Sequence, residues 1–501
     1  MSSNNNDSKK LSLMALILMI FTSVYGFNNM PRSFYLMGYG AIPFYIISAI
    51  IFFIPFAFMI AEYGSTFKSE KGGIYSWMEK SVGPRYAFIA TFMWYSAQII
   101  WMVNVSSSIW IPVSNAISGY DNTSNWSLFG LDTTKTLGIL GILIIIAITY
   151  FGSKGLDKIK KITSVGGTAV ALLNILLIGG AIIVLIMNKG QLAQPIESMA
   201  SFVKSPNPAY ASPIAVLSFL VYAIFAFGGT EVVGGLVDQT ENPEKNFPKG
   251  LTIAAIVIAV GYSIGIFCIG VFTNWSATLS PDTVNKANVG YVVMNNLGFT
   301  LASVFGATEA VAIQVGNWTA RFVGLSMLLA LLGAFFTLSY APLKQLIEGS
   351  PKGLLPEKLC KIENGMPKTA MLVQAAIVIV IILLVSFGGK AASKFLDVLI
   401  AMTNVSMTIP YMFLSGAFIA FKSKQNLDRP FEMFKGKGLI TIFTIVVTAT
   451  VGFANVFSIV EPALNGDWFT TIWSVAGPIF FTIVALVLYS RYDKKKKAGQ
   501  L

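Results

Sequence analysis

Residues 221–236, VYAIFAFGGTEVVGGL, lie inside a long apolar run yet carry four glycines and a glutamate. In a helix, Gly228 and Gly229 each cost roughly 1 kcal/mol relative to alanine. Gly234 and Gly235 repeat the weakness a turn and a half later. Unwound backbone at membrane depth persists only where it is buried in protein or lines a wet cavity. Glu231 makes the same demand, because a mid-span carboxylate costs a few kcal/mol on insertion scales and must face the bundle interior. The stretch therefore predicts a spanning helix that opens over a polar cavity.

The rest of the chain is built for the same solvent. Of 501 residues, 55% are apolar and 12% charged, against about a quarter charged in a soluble domain. Twelve apolar runs are each long enough to cross a hydrocarbon core of roughly 30 Å. They cover 11–38 (interrupted), 41–62, 84–118, 134–151, 162–187, 210–236 (interrupted), 249–273, 309–346, 369–388, 396–421, 439–461 and 470–490, here spans 1 to 12. The expected fold is an all-α integral membrane protein. It forms one transmembrane domain over 1–501, with no room for a soluble enzymatic domain.

A net charge of +12 would suggest nucleic acid in a soluble protein. Here 27 of the 35 Lys and Arg residues fall in the N-terminal tail, the even-to-odd connections and the C-terminal tail, and six in the opposite connections; Arg32 and Arg321 lie within or next to spans. That asymmetry predicts cytoplasmic termini, with the lysines at 494–497 facing anionic lipid. Lys9 and Lys10 precede an apolar run without a small-x-small cleavage site, so span 1 reads as uncleaved. Cys268 lies in span 7 and Cys360 in a connection, which excludes a disulfide and a Cys-rich zinc site. Histidine is absent, removing the commonest metal ligand and proton relay. No metal, cofactor or nucleic-acid partner is expected, and no G-x-x-x-x-G-K-[ST] loop marks an ATPase.

Spans 1–5 and 6–10 lie side by side as two halves of the same plan. Each half opens with an interrupted helix, and the third span is unusually long in both. Corresponding features fall about 200 to 235 residues apart, as expected of a repeat in a secondary transporter. Five spans being odd, the second half enters the membrane from the opposite side. The result is a five-plus-five inverted repeat, about 11–187 and 210–421, with broken helices 1 and 6; helices 11 and 12, about 439–490, stand outside it.

In span 1, FTSVYGFNNMPRSF (21–34), Gly26 weakens the helix and Asn28 and Asn29 favour capping. Pro31 suits the first turn of a restart. One half-helix should end near Ser23–Tyr25 and another begin near Asn29. The glycine pairs of span 5, Gly166–Gly167 and Gly179–Gly180, read instead as close helix contacts.

Two breaks, one per half, point to a midplane binding site. Free N–H groups at a half-helix N-terminus attract an anion and free carbonyls at a C-terminus a cation. A zwitterionic amino acid presents both, about 3–4 Å apart. Phe225 and Phe227 are placed to close over such a ligand. In span 3, WYSAQIIWMVNVSSS (94–108), Gln98 and Trp101 share a face toward the site, with Asn104 nearby. Glu231 reads as a proton-coupling or gate residue, or as a brace for the broken backbone. Glu62 reads as solvated at the interface, and Arg321 as interior, with Glu309 a candidate partner.

These motifs resemble the APC (amino acid–polyamine–organocation) superfamily across essentially the whole chain. KGGIYSWMEKSVGPRYAF (71–88) resembles its first cytoplasmic connection, a glycine pair followed by an aromatic-rich interfacial helix. FAFGGTE (225–231) with TENPEKNFPKG (240–250) resembles broken helix 6 and the connection after it. GLLPEKLCKIENGMPK (353–368) and LDRPF (427–431) resemble the connections after helices 8 and 10. The chain is most similar to the glutamate/GABA antiporter branch, and within it to YjeM-type permeases.

The resemblance implies a LeuT/APC-like fold and alternating access, with substrate between helices 1 and 6. The segment Ser23, Val24, Tyr25 and Gly26 would receive the substrate carboxylate. Phe225, Phe227, Gly228 and Gly229 would supply carbonyls and an aromatic gate, and Glu231 occupies the family's helix-6 glutamate. Leu343–Lys344 stands where relatives have Ser-Arg, and span 5 carries Asn174 rather than a mid-span lysine. These departures, with a histidine-free tail, argue against glutamate specificity and acid gating. The expected function is secondary transport of an amino acid or amine derivative across the cytoplasmic membrane, by antiport or proton-coupled symport. The partners are that small molecule and the bilayer. The alternative is a sensor of the same fold that binds without transport.

Overall fold

A computed structural model describes residues 10–363 and 365–500; Lys9 lies outside them. Among the described residues the chain is helical, with only the isolated bridges Leu11–Thr240 and Glu363–Met366 in extended pairing. Among the described residues eleven helical stretches are long and apolar enough to cross a membrane, one of them running from Asn29 to Thr66. Span 1 is split into Leu13–Val24 and Asn29–Met37, of 12 and 9 residues, each too short to cross alone, and the second half runs on into span 2 within the Asn29–Thr66 stretch.

The boundaries of span 1 follow from local chemistry. Ser12 caps the first half by accepting the Ala15 N–H, and Tyr25 leaves the helix with extended dihedrals. In span 6, Ser212 caps Pro213–Phe225. Four residues of turn come next, ending at Gly229 with φ +113°. The chain then tightens into a 3₁₀ helix, Thr230–Gln239, rather than resuming as an α-helix. Pro243 starts span 7, Pro243–Phe272.

Span 3 is Pro84–Ser108 continued by Trp110–Ser118, and span 8 is a single 41-residue helix, Glu309–Gly349. In span 5, Leu156–Met187, the backbone of span 8 packs on Gly166, that of span 1 on Gly167, and Leu297 on Gly180, whereas Gly179 faces open space. The packing role of the span 5 glycines thus holds for three of the four.

Four features depart from the sequence reading. Span 10 is itself broken, into Gly389–Ser406 and Ile409–Ser423, ahead of Pro410, whose missing N–H suits a restart. An apolar helix, Val289–Val304, lies between spans 7 and 8; its 16 residues are too few for the crossing pattern.

Glu62 is not solvated. It is fully buried, pairs with Lys422 at 2.9 Å and accepts the N–H groups of Met433 and Phe434, each at 2.7 Å. The connection after span 10 folds over the end of span 2 and covers it. Arg321 turns away from Glu309. Its guanidinium donates to the carbonyls of Ile117 and Ser118, where a cation meets the negative end of the Trp110–Ser118 helix.

Candidate substrate cavity

A cavity of about 530 Å³ lies where the two broken helices meet. Ser23, Val24, Tyr25 and Gly26 contribute the span 1 wall, and Phe225, Gly228, Gly229 and Glu231 the span 6 wall. Gln98 and Trp101 come from span 3. Phe227 is the exception. Its ring stacks on Phe53 at 4.5 Å and packs against Tyr45 and Tyr262 behind the wall. Positions two apart on a turning backbone point to different sides, so only Phe225 faces the cavity.

The breaks are in contact. A side chain at Gly229 would run into the Ser23 carbonyl, and its φ lies in the region glycine favours. Tyr262, from span 7, stands behind both. Its hydroxyl accepts from the Gly26 N–H at 3.0 Å and the Asn29 amide at 3.1 Å, and donates toward the Ala226 carbonyl at 3.2 Å. Tyr222 donates to Asn29 from the other side at 3.1 Å. Asn174 of span 5 reaches the same region, accepting the Tyr25 hydroxyl at 2.7 Å.

Glu231 is buried at the cavity edge. One carboxylate oxygen accepts the Gly229 N–H at 3.1 Å and the other the Tyr411 hydroxyl at 3.1 Å. It thereby ties the span 6 break to span 10. Among the described residues no Lys or Arg lines the cavity, and Glu231 is its single Asp or Glu. Asn29, Tyr222, Thr403, Asn404, Thr408 and Tyr411 also line it. The sequence signal for the span 10 group was Pro410 within an apolar run, weak without a glycine pair beside it. Among the described residues no cluster of Cys, Asp or Glu forms a metal site.

Asn104 and Asn404 on the wall are exposed, whereas Glu231, Val232, Leu338 and Tyr411 are buried. Beyond the buried group, toward the face carrying the termini, lies a seal. Lys344 donates to the Gly235 carbonyl at 2.9 Å and to Asp238 at 2.7 Å, with Glu348 at 3.9 Å. Gln345 accepts the Ile74 N–H at 2.8 Å and donates to the Val232 carbonyl at 3.1 Å. Leu11 exchanges backbone hydrogen bonds with Gln239 and Glu241. The second glycine pair serves this seal, for Gln345 packs on Gly234 and Gly235, and Trp77 on Gly234. The buried side of the cavity is thus closed by this seal, while Asn104 and Asn404 remain exposed.

Helices of spanning length and two breaks in contact at a polar cavity fit the plan of a secondary membrane transporter. The amino acid permease family profile matches residues 11–485, and the chain belongs to that family. It is 53% identical to the inner membrane transporter YjeM of Escherichia coli K12, over 97% of this chain and 96% of that protein. More distant relatives come from Lactococcus lactis. The aspartate/glutamate permease AcaP of subsp. cremoris is 24% identical over 98% of this chain and 97% of its own. A glutamate/gamma-aminobutyrate antiporter of subsp. lactis is 22% identical over 98% and 92%. The protein is a membrane amino acid transporter.

Proposed function

We propose that the chain carries an amino acid or close amine derivative through this cavity by alternating access, as an antiporter or a proton-coupled symporter of the cytoplasmic membrane. The observation that carries the reading is the meeting of the two breaks, with Gly229 set against the Ser23 carbonyl at one cavity. The segment from Ser23 to Gly26 receives the substrate carboxylate, as the family resemblance implies, and carbonyls between Phe225 and Gly229, at the end of the Pro213–Phe225 helix, face its ammonium, since a helix C-terminus favours a cation. The five-plus-five repeat over 11–187 and 210–421 supplies the moving parts, and the positive-inside asymmetry sets both termini in the cytoplasm. The name of the E. coli relative, an inner membrane transporter, supports that location.

Glu231 acts as the gate brace, holding the span 6 break to span 10 through Tyr411. Uptake and counterflow of labelled amino acids in proteoliposomes test the reading. Saturable flux is expected; binding without flux under any gradient would make the protein a sensor. For Glu231→Gln, flux should fall about tenfold or more, the weight of a hydrogen bond to a charged group, with the pH profile keeping its shape. A flattened profile would instead make Glu231 the carrier of the coupling proton.

A further inference from the structure

Resting on the proposal that this cavity is the transport site, we infer that its cargo is an amino acid with an uncharged hydrogen-bonding side chain, an amide or a hydroxyl, and that Gln98 selects it. Gln98 is 2% exposed at the cavity wall, and neither its Oε1 nor its Nε2 has a hydrogen-bond partner among the described residues. Buried polar groups are nearly always paired, and an unpaired one is costly. Both amide atoms lie buried just behind the cavity lining, so what completes them is a side chain that enters the cavity and draws the carboxamide toward it.

The surroundings decide which side chain that is. On the same wall, Ala334 and Leu338 of span 8 are apolar, and Trp101 meets Phe335 of that helix at 5.5 Å. Gln98 thus shares the cavity lining with apolar surface from span 8 and with the polar Asn104 of its own helix. An anionic side chain would enter with no Lys or Arg on the wall and with Glu231 already present. A buried charge without a partner is strongly disfavoured. A cationic side chain would have to draw on Glu231, whose carboxylate also ties Gly229 to Tyr411, and pairing with it would pull on that brace.

An apolar side chain fits the walls but leaves the Gln98 amide unpaired. A site built to hydrogen-bond its ligand rejects the analogue that cannot reply. An amide or hydroxyl side chain both gives and takes a hydrogen bond, and carries no charge. The cargo therefore differs from the aspartate and glutamate named for the distant AcaP relative.

The test uses the full chain in proteoliposomes and pairs of similar shape: asparagine against leucine and aspartate, threonine against valine. Asparagine or threonine should be carried with kcat/KM at least about tenfold above its apolar and acidic counterparts, the scale of one buried hydrogen bond. In Gln98→Leu, the advantage over leucine and valine should shrink to about twofold while leucine flux persists. Aspartate or glutamate carried as well as asparagine would overturn the inference, as would a preference untouched by the substitution. No flux for any amino acid would instead overturn the transport reading. Should Gln98→Leu fail to reach the membrane, the wild-type ratios and Gln98→Met decide by the same criteria.

Discussion

The Tyr262 hydroxyl accepts the Gly26 amide hydrogen at 3.0 Å, so span 7 holds open the break in span 1. A phenol has two lone pairs and one hydrogen. All three are engaged, by Gly26, Asn29 and the Ala226 carbonyl, and the same atom thus reaches the break in span 6. Tyr262→Phe keeps the ring, which packs on Tyr25 at 4.7 Å, and orphans two donors beside the cavity. An orphaned buried group costs about 1–3 kcal/mol. Substrate KM should rise by about tenfold or more while the protein still inserts and elutes as folded. Uptake kinetics alongside size-exclusion profiles check this; an unchanged KM would detach the hydroxyl from the site.

Gly229 allows a second test with an internal control. Its φ of +113° and the Ser23 carbonyl beside it leave no place for a Cβ. Gly229→Ala combines left-handed strain of about 1–2 kcal/mol with a backbone clash, and should abolish most transport. Gly179 sits in the span 5 helix with open space where its Cβ would be. Gly179→Ala should leave flux unchanged and raise the melting temperature slightly, since alanine is favoured over glycine in a helix by about 1 kcal/mol. Equal loss in both variants would show that the span 6 turn tolerates a side chain.

The features legible in the sequence were local. Gly26 with Asn28, Asn29 and Pro31 marks the ends of two half-helices because each residue acts on the backbone around it. Gly228 and Gly229 do the same in span 6. Partners distant along the chain left no such trace. Tyr262 is one aromatic among many in an apolar helix, and only the fold brings its hydroxyl to Gly26, 236 residues away. Glu62 reads as interfacial until the connection after span 10 is seen to cover it. Phe227 shows the finer limit. Its neighbour two positions back lines the cavity, but the turn at the break directs this ring into the packing against Phe53.

Lys344 should govern how firmly the termini side is shut. Its ammonium is buried between the Gly235 carbonyl, Asp238 and Glu348. Lys344→Met removes the cation and leaves Asp238 without its pair, which disfavours the closed arrangement. With Cys268 and Cys360 replaced by alanine, a cysteine at Leu338 on the cavity wall reports access. Its labelling by a membrane-impermeant reagent from the termini side should rise several-fold in the Lys344→Met background. Labelling that stays at the Lys344 level would assign the seal to Gln345 and the backbone pairing of Leu11.

Glu62 and Lys422 form a buried pair between span 2 and span 10, with side chains 0% and 4% exposed. Removing one partner of such a pair typically costs about 3–5 kcal/mol, whereas removing both costs far less. Glu62→Gln and Lys422→Met should each lower the melting temperature in detergent well below that of the double variant. Glu432 shares the same ammonium at 2.7 Å, which holds its carboxyl below the ordinary carboxylate range. A carboxyl whose folded pKa is depressed contributes fully above its unfolded value and loses that contribution only as pH falls through the lower one. Between pH 7 and about pH 5, the difference in melting temperature between wild type and Glu432→Gln should therefore stay constant. A difference that shrinks across that window would show that the Lys422 pairing does not hold Glu432 ionised.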